Sequence, residues 1–231
     1  MVLALGAKDG LAVVAVLLIP AGLVGCWQHR KNVSMAILSP LVLGTLVGTG
    51  IGSFVLWALI HSGEEAAVEV HMEYVVAGLS LLYVALMMFH SRIAHWRGGG
   101  GPPQKAGIAM TGGLVGLSQT VANSGTPLAT LYFVRHGLAK DQFVAAQNFL
   151  ALSQNLIKLL PFYVLGILHL GNAGTALLLF PLSVLGSWCG KKFESASSER
   201  SFFILYTVLL IVGLVASILL LWGRNKFLSL L

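Results

Sequence analysis

A lysine lies deep within an apolar stretch of this 231-residue chain. Lys158 is near the middle of a predicted membrane helix at 143–168, where a charge costs at least about 2.5 kcal/mol. No Asp or Glu occupies a comparable depth in any predicted helix, so a bound anion could serve as the counter-ion. Gln154 and Asn155 lie beside it and offer hydrogen bonds. The structural alternatives are snorkelling, or pairing with carbonyl groups freed by Pro161.

A second candidate for chemistry is a break in the apolar region 106–134. Five consecutive residues that break or cap helices form it: Asn123, Ser124, Gly125, Thr126 and Pro127. Thr126 as N-cap and Pro127 as first helical residue predict a helix over 127–134 whose positive dipole end faces the break. Such an end attracts anions. The alternative is that Gly125 and Pro127 merely form a turn between packed helices.

Together these residues predict one substrate site. Its members are Asn123, Ser124, Gly125, Thr126, Pro127, Gln154, Asn155 and Lys158. No HExxH, GxSxG, intramembrane aspartate pair or acidic magnesium cluster is present, so we expect no enzyme activity, no cofactor and no metal. The seven histidines lack the i, i+4 spacing of a helical metal pair, and we interpret them as membrane-interface residues.

The composition identifies the class of protein that must position this site. Apolar residues make up 57% of the chain, charged residues only 10%, and the mean hydropathy is +0.87, which indicates a polytopic all-α membrane protein. The net charge of +6 resembles that of nucleic-acid-binding proteins. However, the basic residues lie in short clusters between apolar runs, a pattern that orients a membrane protein and excludes a DNA-binding face.

Runs of about 20 apolar residues predict six full spans. They cover roughly 10–26, 35–60, 73–90, 143–168, 173–190 and 201–222. The interrupted region 106–134 would add a pair of short helices, either re-entrant or, as the alternative, crossing once to give seven spans.

Loop charge favours the re-entrant arrangement. Basic residues cluster in four loops, at Arg30 and Lys31, at Arg92, Arg97 and Lys105, at Arg135 and Lys140, and at Lys191, Lys192 and Arg200. If 106–134 enters and returns on the cytoplasmic side, all four loops are cytoplasmic, as the positive-inside rule requires. A single crossing would place two of them outside.

An internal repeat divides the chain. Pro40-Leu41 recurs as Pro181-Leu182 at an offset of 141, and the glycine pairs 44/48 and 186/190 follow them with small-xxx-small spacing. We therefore predict a first membrane repeat at 1–92 that lacks its opening element, a Gly/Pro-rich linker at 93–105, and a second membrane repeat at 106–231. The re-entrant pair would make the repeats inverted in topology, as in many secondary transporters.

The second half resembles the TauE/SafE family, also called the toluene sulfonate uptake permeases. The motifs are Gly112-Gly113-Leu114-Val115-Gly116, the break from Asn123 to Leu128, Leu131-Tyr132, Phe143, Lys158, Gly166 and the segment Pro181 to Gly190. The first half is similar from Gly6 onward, through Trp27-Gln28-His29-Arg30 and Pro40 to Gly52. From this comparison we expect the family's usual opening span to be missing.

The resemblance implies a multi-pass permease of a bacterial inner membrane. Its substrates would be small sulfur-containing anions such as sulfite, sulfonates or sulfoacetate, and its other contacts would be with lipid rather than nucleic acid. We expect alternating access at the broken helix. A second copy of the chain or a partner subunit is a further candidate contact. The alternative function is a membrane scaffold that transports nothing, or a subunit of a larger complex.

Overall fold

The structure is a computed structural model that describes residues 7–61, 105–123, 125–206, 208 and 212. All regular structure within these residues is helical, as the composition predicted. The predicted span at 73–90, nearly all of the predicted linker and most of the predicted span at 201–222 lie outside the described residues.

The described residues contain six helices with defined bounds, which we number in chain order. They are α1 (Ala7–His29), α2 (Met35–His61), α3 (Lys105–Ala122), α4 (Gly125–Arg135), α5 (Lys140–Val164) and α6 (Leu170–Ala196). Residues 199–206 form a further helical segment.

Helix α5 ends four residues before the predicted boundary at 168. Gly166 has a φ of +69°, and its N–H donates to the carbonyl of Tyr163 while that of Ile167 donates to the carbonyl of Phe162. This is a glycine-terminated helix end, in which the left-handed residue satisfies the last free carbonyl groups. Apolar contact between Phe162 and Ile167 in one buried cluster accompanies it.

Three of the described helices are long and apolar enough to cross a membrane. They are Asp9–His29, Met35–His61 and Leu170–Ala196. Only 6% of the apolar window of Leu170–Ala196 is buried against described residues. The fold is that of a membrane protein, because this much outward-facing apolar surface is unusual in a soluble monomer.

Helices α2 and α3 run parallel and touch through their backbones. A Cβ atom built on Gly44 would overlap the carbonyl of Ala109, and one on Gly48 would overlap that of Gly113. Small residues allow such close approach where helices associate in lipid. The corresponding glycines of the second half, 186 and 190, have no described atom within 4 Å of their Cβ positions.

Helix α4 folds back along α3. Ile108, near the start of α3, shares a buried cluster with Leu38 of α2 and Phe133 of α4. Val121, at the far end of α3, instead packs with Leu56 in a second cluster. The two short helices therefore form a hairpin whose tip lies at residues 123–124.

Candidate functional site

Lys158 lies in the interior of α5 with none of its surface exposed. Its ammonium donates a 2.7 Å hydrogen bond to Oδ1 of Asn123 and lies 5.7 Å from the ring centroid of Phe162. Lys158 forms no salt bridge with a described carboxylate.

Asn123 occupies the turn between α3 and α4. Its φ of +52° lies in the left-handed region, which asparagine tolerates better than most residues with a Cβ atom. The same Oδ1 atom also accepts a 2.7 Å hydrogen bond from Nε2 of Gln119. Two donors, one from α3 and one from α5, therefore fix the side chain of Asn123.

Gln119 connects the end of α3 to the start of α4. It was not among the residues predicted from the sequence to form the site. Its Oε1 accepts a 2.9 Å hydrogen bond from the N–H of Gly125, the first residue of α4, and its side chain is buried. One feature of the sequence indicates this role. Gln119 lies four residues before Asn123, a spacing that places the two side chains on the same face of a helix.

Helix α4 begins at Gly125, two residues before the predicted start at Pro127. The reason is that the amide oxygen of Gln119, from the preceding helix, accepts a hydrogen bond from the Gly125 N–H. Thr126 lies within α4 with an exposed side chain, so its predicted N-cap role was wrong. Ser124 lies outside the described residues, and Pro127 is in the first turn of α4.

Glycine is required where α4 begins. A Cβ atom at Gly125 would lie 2.5 Å from the carbonyl oxygen of Val115 and 2.8 Å from Cβ of Gln119. These contacts are shorter than real Cβ atoms make. A side chain here would push α4 away from α3 and disturb the hydrogen bonds that hold Asn123.

Gln154 and Asn155 are buried on the turn of α5 that precedes Lys158. Asn155 Nδ2 donates to the carbonyl of Ala151. Two other atoms, Nε2 of Gln154 and Oδ1 of Asn155, have no hydrogen-bond partner among the described residues. Buried polar atoms without partners are rare and need a reason, and a ligand beside Lys158 would provide one.

The structure thus brings together part of the predicted site. Lys158 donates to Asn123, and Gln119 links Asn123 to Gly125. Gln154 and Asn155 lie within about one turn of Lys158 along α5. The described residues contain no group of three His, Cys, Asp or Glu side chains suited to a metal ion. The arrangement offers a cation and amide donors, a set suited to holding an oxyanion.

A second polar centre joins α1 to α6. His29 and Glu194 are both buried, and Nε2 of His29 lies 3.5 Å from Oε2 of Glu194. His29, which we expected at the membrane interface, lies at the C-terminal end of α1 and is buried against α6. His61 and His169, in contrast, are exposed.

Comparison with known proteins identifies the family. The family model described as Sulfite exporter TauE/SafE matches residues 1–217, which include both polar centres. No curated protein and no solved structure matches the chain. Because the match spans nearly the whole chain, the protein belongs to the TauE/SafE sulfite exporter family.

Proposed function

We propose that this chain is a permease that moves small sulfur-containing anions, such as sulfite or a sulfonate, across a bacterial inner membrane. The observation that carries the proposal is Lys158, which is fully buried and hydrogen-bonded to a neutral oxygen. A charge in such a place needs a partner. The family description, sulfite exporter, supplies the class of anion.

The donors around Lys158 suit an oxyanion. Its ammonium has three N–H groups, and the hydrogen bond to Asn123 uses one of them. Nε2 of Gln154 is a further buried donor without a described partner. The N-terminal end of α4, which begins at Gly125, contributes a partial positive charge at the same break. A sulfite or sulfonate group has three oxygen atoms that could accept from these donors.

We further propose that the α3–α4 hairpin is re-entrant and belongs to one of two inverted repeats with six full spans. Helix α4 has 11 residues and is therefore about 16 Å long, roughly half of the hydrocarbon thickness of about 30 Å. Its return along α3 supports entry and exit on one side. Alternating access would then expose the tip of the hairpin to each side of the membrane in turn.

Flux into proteoliposomes tests the proposal. Vesicles that contain the wild-type chain should take up radiolabelled sulfite in a saturable way, and unlabelled sulfonates should compete. Lys158→Met should abolish this uptake. Lys192→Met is the matched control, because it makes the same change at an exposed lysine and should leave uptake near the wild-type rate.

Thermal stability separates a transport role of Lys158 from a structural one. Replacing a buried charge that no described carboxylate compensates by an apolar side chain of similar length removes the cost of burying that charge. The melting temperature of Lys158→Met in detergent should therefore equal or exceed that of the wild type. Unchanged uptake in a folded variant would refute the site. If a second protein always co-purifies with this chain and the vesicles show no sulfite uptake, the result would support the alternative function as a membrane scaffold.

A further inference from the structure

Helices α1 and α6 run parallel and are joined at both ends by a histidine and a carboxylate. At their N-terminal ends, Nε2 of His169 lies 3.1 Å from Oδ1 of Asp9, with 53% and 45% of these side chains exposed. At their C-terminal ends, His29 and Glu194 lie 3.5 Å apart, and only 2% and 4% are exposed. The second pair is therefore shielded from bulk solvent by protein.

A cavity of about 270 Å³ adjoins the buried pair. Its other polar lining residues include Gln28, Gln147, Asn148, Ser187 and Tyr206. Two atoms of the pair, Nδ1 of His29 and Oε1 of Glu194, have no hydrogen-bond partner among the described residues. A cavity of this size has room for water molecules, and both His29 and Glu194 line it.

Charged groups surround the pair on each neighbouring element. Lys191 of α6 donates a 2.9 Å hydrogen bond to Oε2 of Glu194. From α5, the acidic Asp141 lies within electrostatic range of His29, and the Lys140 ammonium donates to the backbone carbonyl groups of Glu194 and Ser197.

Tyr206 of the segment 199–206 also borders the cavity. Histidine is the residue among these whose ordinary titration falls between pH 5 and 8. A change in protonation near neutral pH therefore centres on His29 and the carboxylate beside it.

We propose that His29 and Glu194 form the proton-binding site that couples anion transport to a proton gradient. In the proton-free state, His29 is a neutral imidazole beside the Glu194 carboxylate. A proton from cavity water binds the free imidazole nitrogen and produces an ion pair between α1 and α6. Release returns the same proton to water and weakens this attraction. The inference rests on the proposed transport function.

The position of the pair explains how its charge could affect the anion site. Helix α1 belongs to the first predicted repeat and α6 to the second, so the pair bridges the two halves that would move in alternating access. Helix α5 connects the two sites directly. Gln147 lines the cavity and donates a 2.7 Å hydrogen bond to Thr130 of α4, whereas Lys158 lies further along the same helix.

Two transport measurements test the proton site. The first is exchange of labelled sulfite at equal pH on both sides. The second is accumulation of a labelled sulfonate, which stays a monoanion at both pH values, driven by a difference of one pH unit with the membrane potential clamped to zero and corrected for uptake into vesicles with Lys158→Met. Coupling of one proton per anion should change the accumulation ratio of the wild type by about tenfold.

Glu194→Gln should keep exchange and lose the accumulation driven by the pH difference, because Gln cannot form the ion pair. Glu199→Gln is the matched control at an exposed carboxylate and should keep both. Wild-type exchange without a response to the pH difference would overturn the coupling but leave the transport function intact. If Glu194→Gln accumulates the anion in response to the pH difference as strongly as the wild type, the assignment of the proton site to this pair would be overturned.

A wild-type chain without exchange would contradict the transport function and with it the coupling. NMR titration of the labelled histidine side chains in detergent tests whether His29 and Glu194 bind a proton together. The His29 titration should change in Glu194→Gln and stay the same in Glu199→Gln. An identical His29 titration in both variants would overturn the pair as a joint proton site.

Discussion

The ammonium of Lys158 donates a 2.7 Å hydrogen bond to Oδ1 of Asn123, 35 residues earlier in the chain. This contact ties the tip of the α3–α4 hairpin to the interior of α5. Because the amide oxygen is neutral, it holds the ammonium in place without cancelling its charge. A carboxylate at the position of Asn123 would instead compete with a bound anion for the same cation.

Asn123→Asp should therefore weaken anion binding. The new carboxylate would pair with Lys158, and the KM for sulfite should rise by about tenfold or more, since 1.4 kcal/mol corresponds to a factor of ten. Uptake into proteoliposomes over a range of sulfite concentrations measures this. Gln142→Glu adds a negative charge at an exposed position of α5 and should leave KM unchanged. Equal KM values for the two variants would contradict the competition.

Gln119→Leu should destabilise the hairpin. It leaves the buried N–H of Gly125 without its acceptor and removes a donor to Asn123, and an unsatisfied buried group costs about 1–3 kcal/mol. The melting temperature in detergent should fall and uptake should decrease. Gln142→Leu makes the same change on an exposed surface. A melting temperature that is as high in Gln119→Leu as in this control would show that the break is held by other contacts.

The contact between α2 and α3 predicts a sharp difference between two nearby glycines. Gly48→Ala would place a methyl group against the backbone carbonyl of Gly113, and overpacking of this kind costs about 1–3 kcal/mol. Gly50, on the same helix, has no described atom within 4 Å of its Cβ position. Gly50→Ala should therefore leave the melting temperature unchanged or raise it slightly. Equal melting temperatures would argue against the close contact.

Cysteine labelling tests the re-entrant hairpin. In a background with Cys26→Ser and Cys189→Ser, a cysteine at Gln142 should react with an impermeant reagent only from the cytoplasmic side. A cysteine at His169, beyond the other end of α5, should react only from outside. Both positions are exposed. Labelling of Gln142 from outside would rule out the re-entrant arrangement and favour a single crossing by 106–134.

Part of the candidate site could be predicted from the sequence because membrane burial makes unusual residues conspicuous. A lysine in an apolar run and a five-residue break in another run are visible without coordinates. Gln119 and His29 were missed for the opposite reason. Each is an ordinary polar residue near a helix end, and its burial depends on a second helix that local patterns do not specify.

The sequence by itself determined the helical membrane class, the approximate positions of the described helices and the two segments that contribute to the candidate site. These properties follow from residue-by-residue polarity and from helix-breaking residues, which act over a few turns of chain. Only the tertiary structure decided that Lys158 meets Asn123 and that His29 meets Glu194, 165 residues later in the chain. Such pairings depend on how helices pack, and packing is fixed by contacts between distant parts of the chain.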